Sequence, residues 1–238
     1  MKFSLQAISI EENMDDNLIE CNIALLYFNI QQVEYMLGDD DEEIPLVIAE
    51  MAADKSVMQS LSDLNWICNI LSKMDLMKEF VDQWADFSNR LIEVTEDKLL
   101  ISSMWSLKLM IITGKVLDAV GYGNMIMPRA RRVELLKTWI PYFRKTKLAL
   151  DSIGNEETGY PYKMDEDLCQ SIEGAIVALL SAFPLNDQAD ILAYWMNWEQ
   201  FKYPDLSEAF EIWCYRTKSA KGRLVEGLDR VGNATVSL

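Results

Sequence analysis

Apolar residues recur along this chain at intervals of three and four, the spacing of one face of an α-helix. Leu64, Ile67, Cys68 and Leu71 follow it, and Met77, Phe80, Val81, Trp84, Phe87 and Leu91 repeat it. Leu99, Leu100, Ile101, Met104, Trp105, Leu109, Ile112, Val116, Leu117 and Val120 cover most of a helix circumference, which predicts a helix at the centre of the packing. Further stripes run through Val133, Leu136, Trp139, Ile140 and Phe143, then Leu168, Ile172, Ala175, Ile176, Leu179 and Leu180. Ala189, Ile191, Leu192, Trp195 and Met196 come next, followed by Phe210, Trp213 and Cys214. Leu18 to Leu37 is moderately amphipathic. No run of β-branched residues alternates strictly, as a half-buried strand would.

Punctuation between the stripes fits helices. Gly38 and the pair Gly121 and Gly123 read as helix ends. Ser60 with Asp63 reads as a helix start, and so does Thr95 with Glu96 and Asp97. Pro128 precedes another helix, within which Pro141 predicts a kink or a restart. Asp151 to Tyr162 is a polar loop, after which Asp165 or Asp167 can cap the next helix. Pro184 starts one more, and Asp205 with Glu208 resembles a capping box. The prediction is an all-α protein of about eight or nine helices, packed as stacked antiparallel hairpins. The expected organisation is an amino-terminal extension over 1–30, a helical domain over 31–219 and a frayed tail over 220–238.

Composition narrows the chemistry. The 238 residues hold 22 basic and 38 acidic side chains, a net charge of −16, the wrong sign for a general nucleic-acid binder. Histidine is absent, which removes the Ser-His-Asp and Cys-His nucleophile arrangements and the commonest metal ligand. The four cysteines, Cys21, Cys68, Cys169 and Cys214, have no metal or redox spacing and read as small buried hydrophobes in a reducing compartment. The acidic run Asp39 to Glu43 lacks the alternating ligands and central glycine of a calcium loop, and reads as a solvated linker. Gly121-Tyr122-Gly123 follows a helical pattern and has no third glycine of a dinucleotide fingerprint. The most apolar window, Leu99 to Ile112, is interrupted by Lys108 and three serines and falls short of the ~18–20 residues of a membrane span. The expectation is an intracellular protein without catalytic residues, metal or cofactor, binding neither nucleic acid nor membrane.

Charge is unevenly distributed. Residues 1–100 contain 21 acidic and 6 basic side chains, whereas the other 138 residues hold 17 and 16. Within that second part, Pro128 to Lys147 carries Arg129, Arg131, Arg132, Lys137, Arg144, Lys145 and Lys147 against Glu134 alone. A second cluster is Arg216, Lys218, Lys221 and Arg223. The plain reading is a solvated basic face, neutralised in part by the acidic amino-terminal half. The functional reading is a surface that docks an acidic segment or a phosphate-bearing ligand. Six tryptophans (Trp66, Trp84, Trp105, Trp139, Trp195 and Trp213) fall on apolar faces and read as core. Trp198 lies beside polar neighbours, with Phe201 and Tyr203 close behind. The candidates for partner contact are therefore Arg129, Arg131, Arg132, Trp198, Phe201 and Tyr203.

Three blocks carry a family resemblance. The first is Leu61-Ser62-Asp63-Leu64-Asn65-Trp66 leading to Ile70-Leu71-Ser72-Lys73-Met74. The second is Val116-Leu117-Asp118-Ala119-Val120-Gly121-Tyr122-Gly123-Asn124 leading to Leu136-Lys137-Thr138-Trp139-Ile140-Pro141. The third and most specific runs from Tyr203-Pro204-Asp205-Leu206-Ser207-Glu208 through Ala209-Phe210-Glu211-Ile212-Trp213-Cys214-Tyr215-Arg216. Together, over about Gln31 to Gly227, the chain resembles the carboxy-terminal helical region of plant BTB/POZ domain-containing proteins. The resemblance implies a BACK-like, helical-repeat-like stack that presents targets to a cullin-3 ubiquitin ligase, with the BTB domain itself missing. It implies protein partners, either ligase components or degradation targets, and association with full-length BTB relatives. The other reading is a BTB-less decoy or scaffold that binds targets without recruiting the ligase. The family supplies no catalytic residues.

Overall fold

The computed structural model describes residues 16–37, 43–96, 103–122, 125–155, 164–197 and 203–234. Among them are eight helices and no strand. These are α1 (Asp16–Leu37), α2 (Glu43–Met74), α3 (Met77–Glu96), α4 (Ser103–Gly121), α5 (Arg129–Asn155), α6 (Glu166–Ser181), α7 (Leu185–Met196) and α8 (Ser207–Ala234).

Cross-helix bonds define two layers. Ser62 accepts from Lys108, and Asn65 and Asn69 both accept from Lys115, so α2 and α4 run in the same direction. A methyl on Gly114 would approach Ile172 and one on Gly121 would approach Ala175, which sets α6 parallel to α4. Glu173 and Ser181 reach Asp205 and Arg216, extending the layer to α8. On the other side, Asp82 and Asn89 of α3 meet Arg131 and Thr138 of α5, and Arg129 and Arg144 of α5 meet Asp187 and Trp195 of α7. The helices that return to start each new pair make this a stack of antiparallel hairpins, as the sequence predicts.

The nearly all-round apolar helix is central, as expected. α4 packs against α2, α3, α5 and α6 and buries Trp105, Leu109, Met110, Ile112, Val116, Leu117 and Val120. Glycine lets α6 approach it closely: a methyl on Gly121 would lie 2.8 Å from the Ala175 carbonyl oxygen. Between the layers, Phe80, Trp84 and Trp139 stack at centroid separations of 5.9 and 6.0 Å, and Tyr142 and Phe143 extend the aromatic column. The polar edges of the indoles are satisfied. Trp84 donates to Thr113 Oγ1 and Trp139 donates to Ser88 Oγ.

Several element ends differ from expectation. Ser60 is no cap: α2 begins seventeen residues earlier, at Glu43, and Ser60 is buried in its middle, accepting from Asn29 of α1. The stripe of Leu61, Leu64, Cys68 and Leu71 in fact extends back to Val57, so the helix has no reason to begin at Ser60. Thr95 ends α3 instead of opening a helix; its hydroxyl donates to the Leu91 carbonyl 2.7 Å away, a bond available inside a helix. Pro141 causes no restart, since α5 is continuous through it. The carbonyl that loses its donor there belongs to Lys137, an exposed residue where water can serve instead.

Other ends follow the sequence. Asp165 caps α6 by accepting from Leu168 N–H, and Pro184 occupies the cap of α7. Before α8, Asp205 accepts from Ser207, but the Asp205 N–H goes to Glu173 of α6 at 2.8 Å, not to Glu208. The capping box is thus replaced by a tertiary bond. α2 is closed by Asp75 just beyond its last residue; the Asp75 φ of 61° is left-handed, and Leu76 N–H closes back on the Leu71 carbonyl. The organisation drawn from sequence puts a boundary at residue 30, inside α1, whose Ile19, Ile23, Leu26 and Ile30 are all core. Its other boundary, at residue 219, lies inside α8.

Candidate interaction surfaces

The first turn of α5 carries the three candidate arginines, and each is aimed at a different element. Arg129, exposed, forms an ion pair with Asp187 of α7. The hydrogen bond from Arg129 holds the Asp187 carboxyl below its usual range. Arg131 reaches α3, donating to Asp82 Oδ1 at 3.0 Å, to the Asp82 carbonyl at 3.1 Å and to Asp86. Arg132 lays its guanidinium over the Phe183 ring, 5.3 Å from the centroid. All three therefore make contacts outside α5. The pairing of Arg131 with Asp82 and Asp86 joins a basic segment to the acidic amino-terminal half.

Beside Arg131 is a polar cavity of about 90 Å³, lined by Asp86, Ser88, Asn89, Glu134 and Thr138 among others. Thr138 donates to Asn89, and Asn89 donates to Glu134, so its walls are bonded to one another across α3 and α5. It has room for a few waters, whereas small-molecule pockets run to roughly 300–1,000 Å³.

Tyr203 is 7% exposed and belongs to the core. Its carbonyl accepts from Arg144 Nε at 3.1 Å, and Arg144 also reaches the Trp195 carbonyl. Trp195 in turn donates to the Pro204 carbonyl at 2.9 Å. The three groups tie α5 and α7 to the entrance of α8. Arg144 itself, which the charge pattern groups with a solvated basic face, is only 1% exposed. A guanidinium can be buried where backbone carbonyls take its donors, a partnership with no sequence signature. Trp198 and Phe201 lie outside the described residues.

Two further expectations change. Trp66 is 63% exposed, because it sits off the stripe formed by Leu64, Ile67, Cys68 and Leu71. Of the cysteines, Cys68 is fully buried and Cys169 partly so, but Cys21 and Cys214 are exposed. Burial pushes the Cys68 thiol up to about 11 and raises that of Cys169 as well, the opposite of an activated nucleophile. Among the described residues, no three Cys, Asp or Glu side chains are grouped so as to hold a metal ion. No helix among them is long and apolar enough to cross a membrane.

A stack of helical hairpins whose polar groups fasten one pair to the next is the architecture of helical-repeat interaction domains. Residues 39–219 match the family model described as BTB/POZ ankyrin-like repeat, and the chain belongs to that family. It is similar to the Arabidopsis thaliana BTB/POZ domain-containing protein At3g05675, with 35% identity covering 82% of this chain and 53% of the relative. A second Arabidopsis thaliana relative, BTB/POZ domain-containing protein At3g50780, is 24% identical over 68% of this chain and 29% of its own length. A third, BTB/POZ domain-containing protein At2g13690, is 22% identical over 68% and 28%. The chain thus spans about half the length of the first relative and under a third of the other two. No solved structure matches it.

Proposed function

We propose that this chain is a non-enzymatic protein-interaction module, the helical part of an adapter that presents target proteins to a cullin-3 ubiquitin ligase. Membership of the BTB/POZ ankyrin-like repeat family carries the reading. The structure is compatible with it: the arginines of α5 serve packing between hairpins, and large side chains such as Trp66 and Tyr215 stand in solvent. Exposed aromatic residues are the type that anchors protein interfaces. The site of action in this reading is inside the cell, in cytoplasm or nucleus. Partners are ligase components, degradation targets or full-length BTB relatives.

Affinity purification of the tagged chain from plant cells tests the reading. Recovery of a cullin-3 component together with a protein whose half-life shortens on overexpression is the expected result. A bound protein whose half-life lengthens identifies a decoy instead. Recovery of neither class of partner overturns the interaction reading altogether.

A further inference from the structure

Past its first two turns α8 is largely exposed as far as residue 223. Ala209 is buried and Phe210 and Trp213 pack on the core, with the Trp213 indole donating to the Leu185 carbonyl. Between residues 214 and 223, all but Arg216 and Ala220 are exposed. A methyl built on Gly222 would meet no atom within 4 Å. This stretch contains Arg216, Lys218, Lys221 and Arg223 and no acidic residue; the flanking acids are Glu211 and Glu226. Arg216 is engaged, donating to the Ser181 carbonyl at 2.8 Å.

The other three cations differ from those of α5. Arg129, Arg131 and Lys147 each have an aspartate, but Lys218, Lys221 and Arg223 have no ion-pair partner among the described residues. Tyr215, Lys218 and Lys221 follow one another at intervals of three along one helix face, and Tyr215 is 76% exposed. The result is an exposed aromatic ring with two unneutralised cations, Lys218 and Lys221, along its face of the helix, and a third, Arg223, about two turns beyond Tyr215.

We propose that this face of α8 binds an acidic segment of a partner protein; the proposal deepens the interaction reading above and rests on it. Charge selects the occupant. The chain as a whole is strongly negative, at −16, so an extended polyanion such as nucleic acid is repelled along most of its length. A short carboxylate-bearing segment spans little more than the ~8–10 Å over which charges act at ordinary salt, and there it meets the cations of α8 alone. Tyr215 supplies an apolar face for the segment's side chains and a hydroxyl for its backbone.

The test uses the full chain and a fluorescein-labelled peptide of alternating glutamate and alanine, read by fluorescence anisotropy at low salt. Saturable binding is expected, weakening by about tenfold or more in the variant K218E/K221E/R223E and by a smaller factor in Tyr215→Ala. The comparison variant K55E/K73E/K78E makes the same change in net charge at exposed sites elsewhere and is expected to bind like the parent. Circular dichroism and thermal melting establish that each variant is folded. Equal loss in both triple variants would reduce the effect to whole-molecule charge and overturn the proposal. So would tighter binding of an oligothymidylate of equal charge, or of phosphatidylserine vesicles, than of the peptide. If the peptide fails to bind while the parent chain and K218E/K221E/R223E recover the same proteins from cells, the α8 surface is refuted and the general reading stands. If the parent recovers no partner at all, the general reading is what fails.

Discussion

The indole of Trp139 lies nearly parallel to that of Trp84, with 6.0 Å between ring centroids and 12° between planes. The pair joins α3 to α5 at the point where both rings are fully buried. Ser88 organises it: the serine hydroxyl accepts from Trp139 Nε1 at 2.8 Å and donates to the Trp84 carbonyl at 2.7 Å. Replacing Ser88 with alanine strands a buried indole N–H and is expected to cost about 1–3 kcal/mol. Trp139→Phe removes that donor, so the double variant should lose less than the sum of the two single changes. Urea unfolding of the four proteins measures the difference; strict additivity would show that the bond contributes nothing.

Two glycines should respond in opposite directions to the same substitution. Gly121→Ala drives a methyl to within 2.8 Å of the Ala175 carbonyl oxygen, a backbone atom that cannot rotate away. Forced separation of α4 and α6 is expected to destabilise by about 1–3 kcal/mol. Gly222→Ala meets nothing within 4 Å and lies inside α8. There alanine should stabilise by about 0.5–1 kcal/mol, because glycine loses more backbone freedom in a helix. Thermal melts of both variants read the contrast directly.

Arg144 is buried and holds the carbonyls of Tyr203 and Trp195. Arg144→Ala opens a cavity and leaves both acceptors short of a donor, an expected loss of about 2–4 kcal/mol in denaturant unfolding. Arg144→Lys keeps the charge but cannot reproduce two divergent donors on a planar group, so it should also fall below the parent. A lysine variant as stable as the parent would show that the geometry of the guanidinium is immaterial.

Glu173 should make stability depend on pH. Burial raises its carboxyl above the ordinary value of 4.5, opposed in part by the Asp205 N–H it accepts. A carboxyl with a raised folded-state value binds its proton more tightly in the folded chain. Its favourable contribution is therefore complete below 4.5 and is lost as pH rises through the folded-state value. Glu173→Gln keeps an acceptor for Asp205 and never ionises. Relative to the parent, the glutamine variant should gain stability between about pH 4 and about pH 7. An unchanged difference across that range would count against the burial argument.

The helices and the central position of α4 were legible because they rest on periodicity, a property of neighbouring residues in sequence. Asp165 and Pro184 were legible for the same reason: a cap serves a donor three residues away or a turn that starts beside it. Ser60 and Thr95 misled because serine and threonine hydroxyls bond equally well inside a helix, to Asn29 in one case and to the Leu91 carbonyl in the other. The basic segment of α5 was visible as charge, but its partners were not. Asp82 and Asp86 lie more than forty residues from Arg131, and Asp187 lies 58 residues from Arg129. Nothing local distinguishes those aspartates from the other acids. The burial of Arg144 was hidden because its acceptors are main-chain carbonyls, which every residue possesses.

Because α2, α4, α6 and α8 lie side by side, each packs against the next along the row. Amide hydrogens in α4, flanked on both sides, should exchange with solvent most slowly, while the far turns of α8 release theirs first. In such a row a disturbance is felt first by the helices that touch it and only through them by the rest.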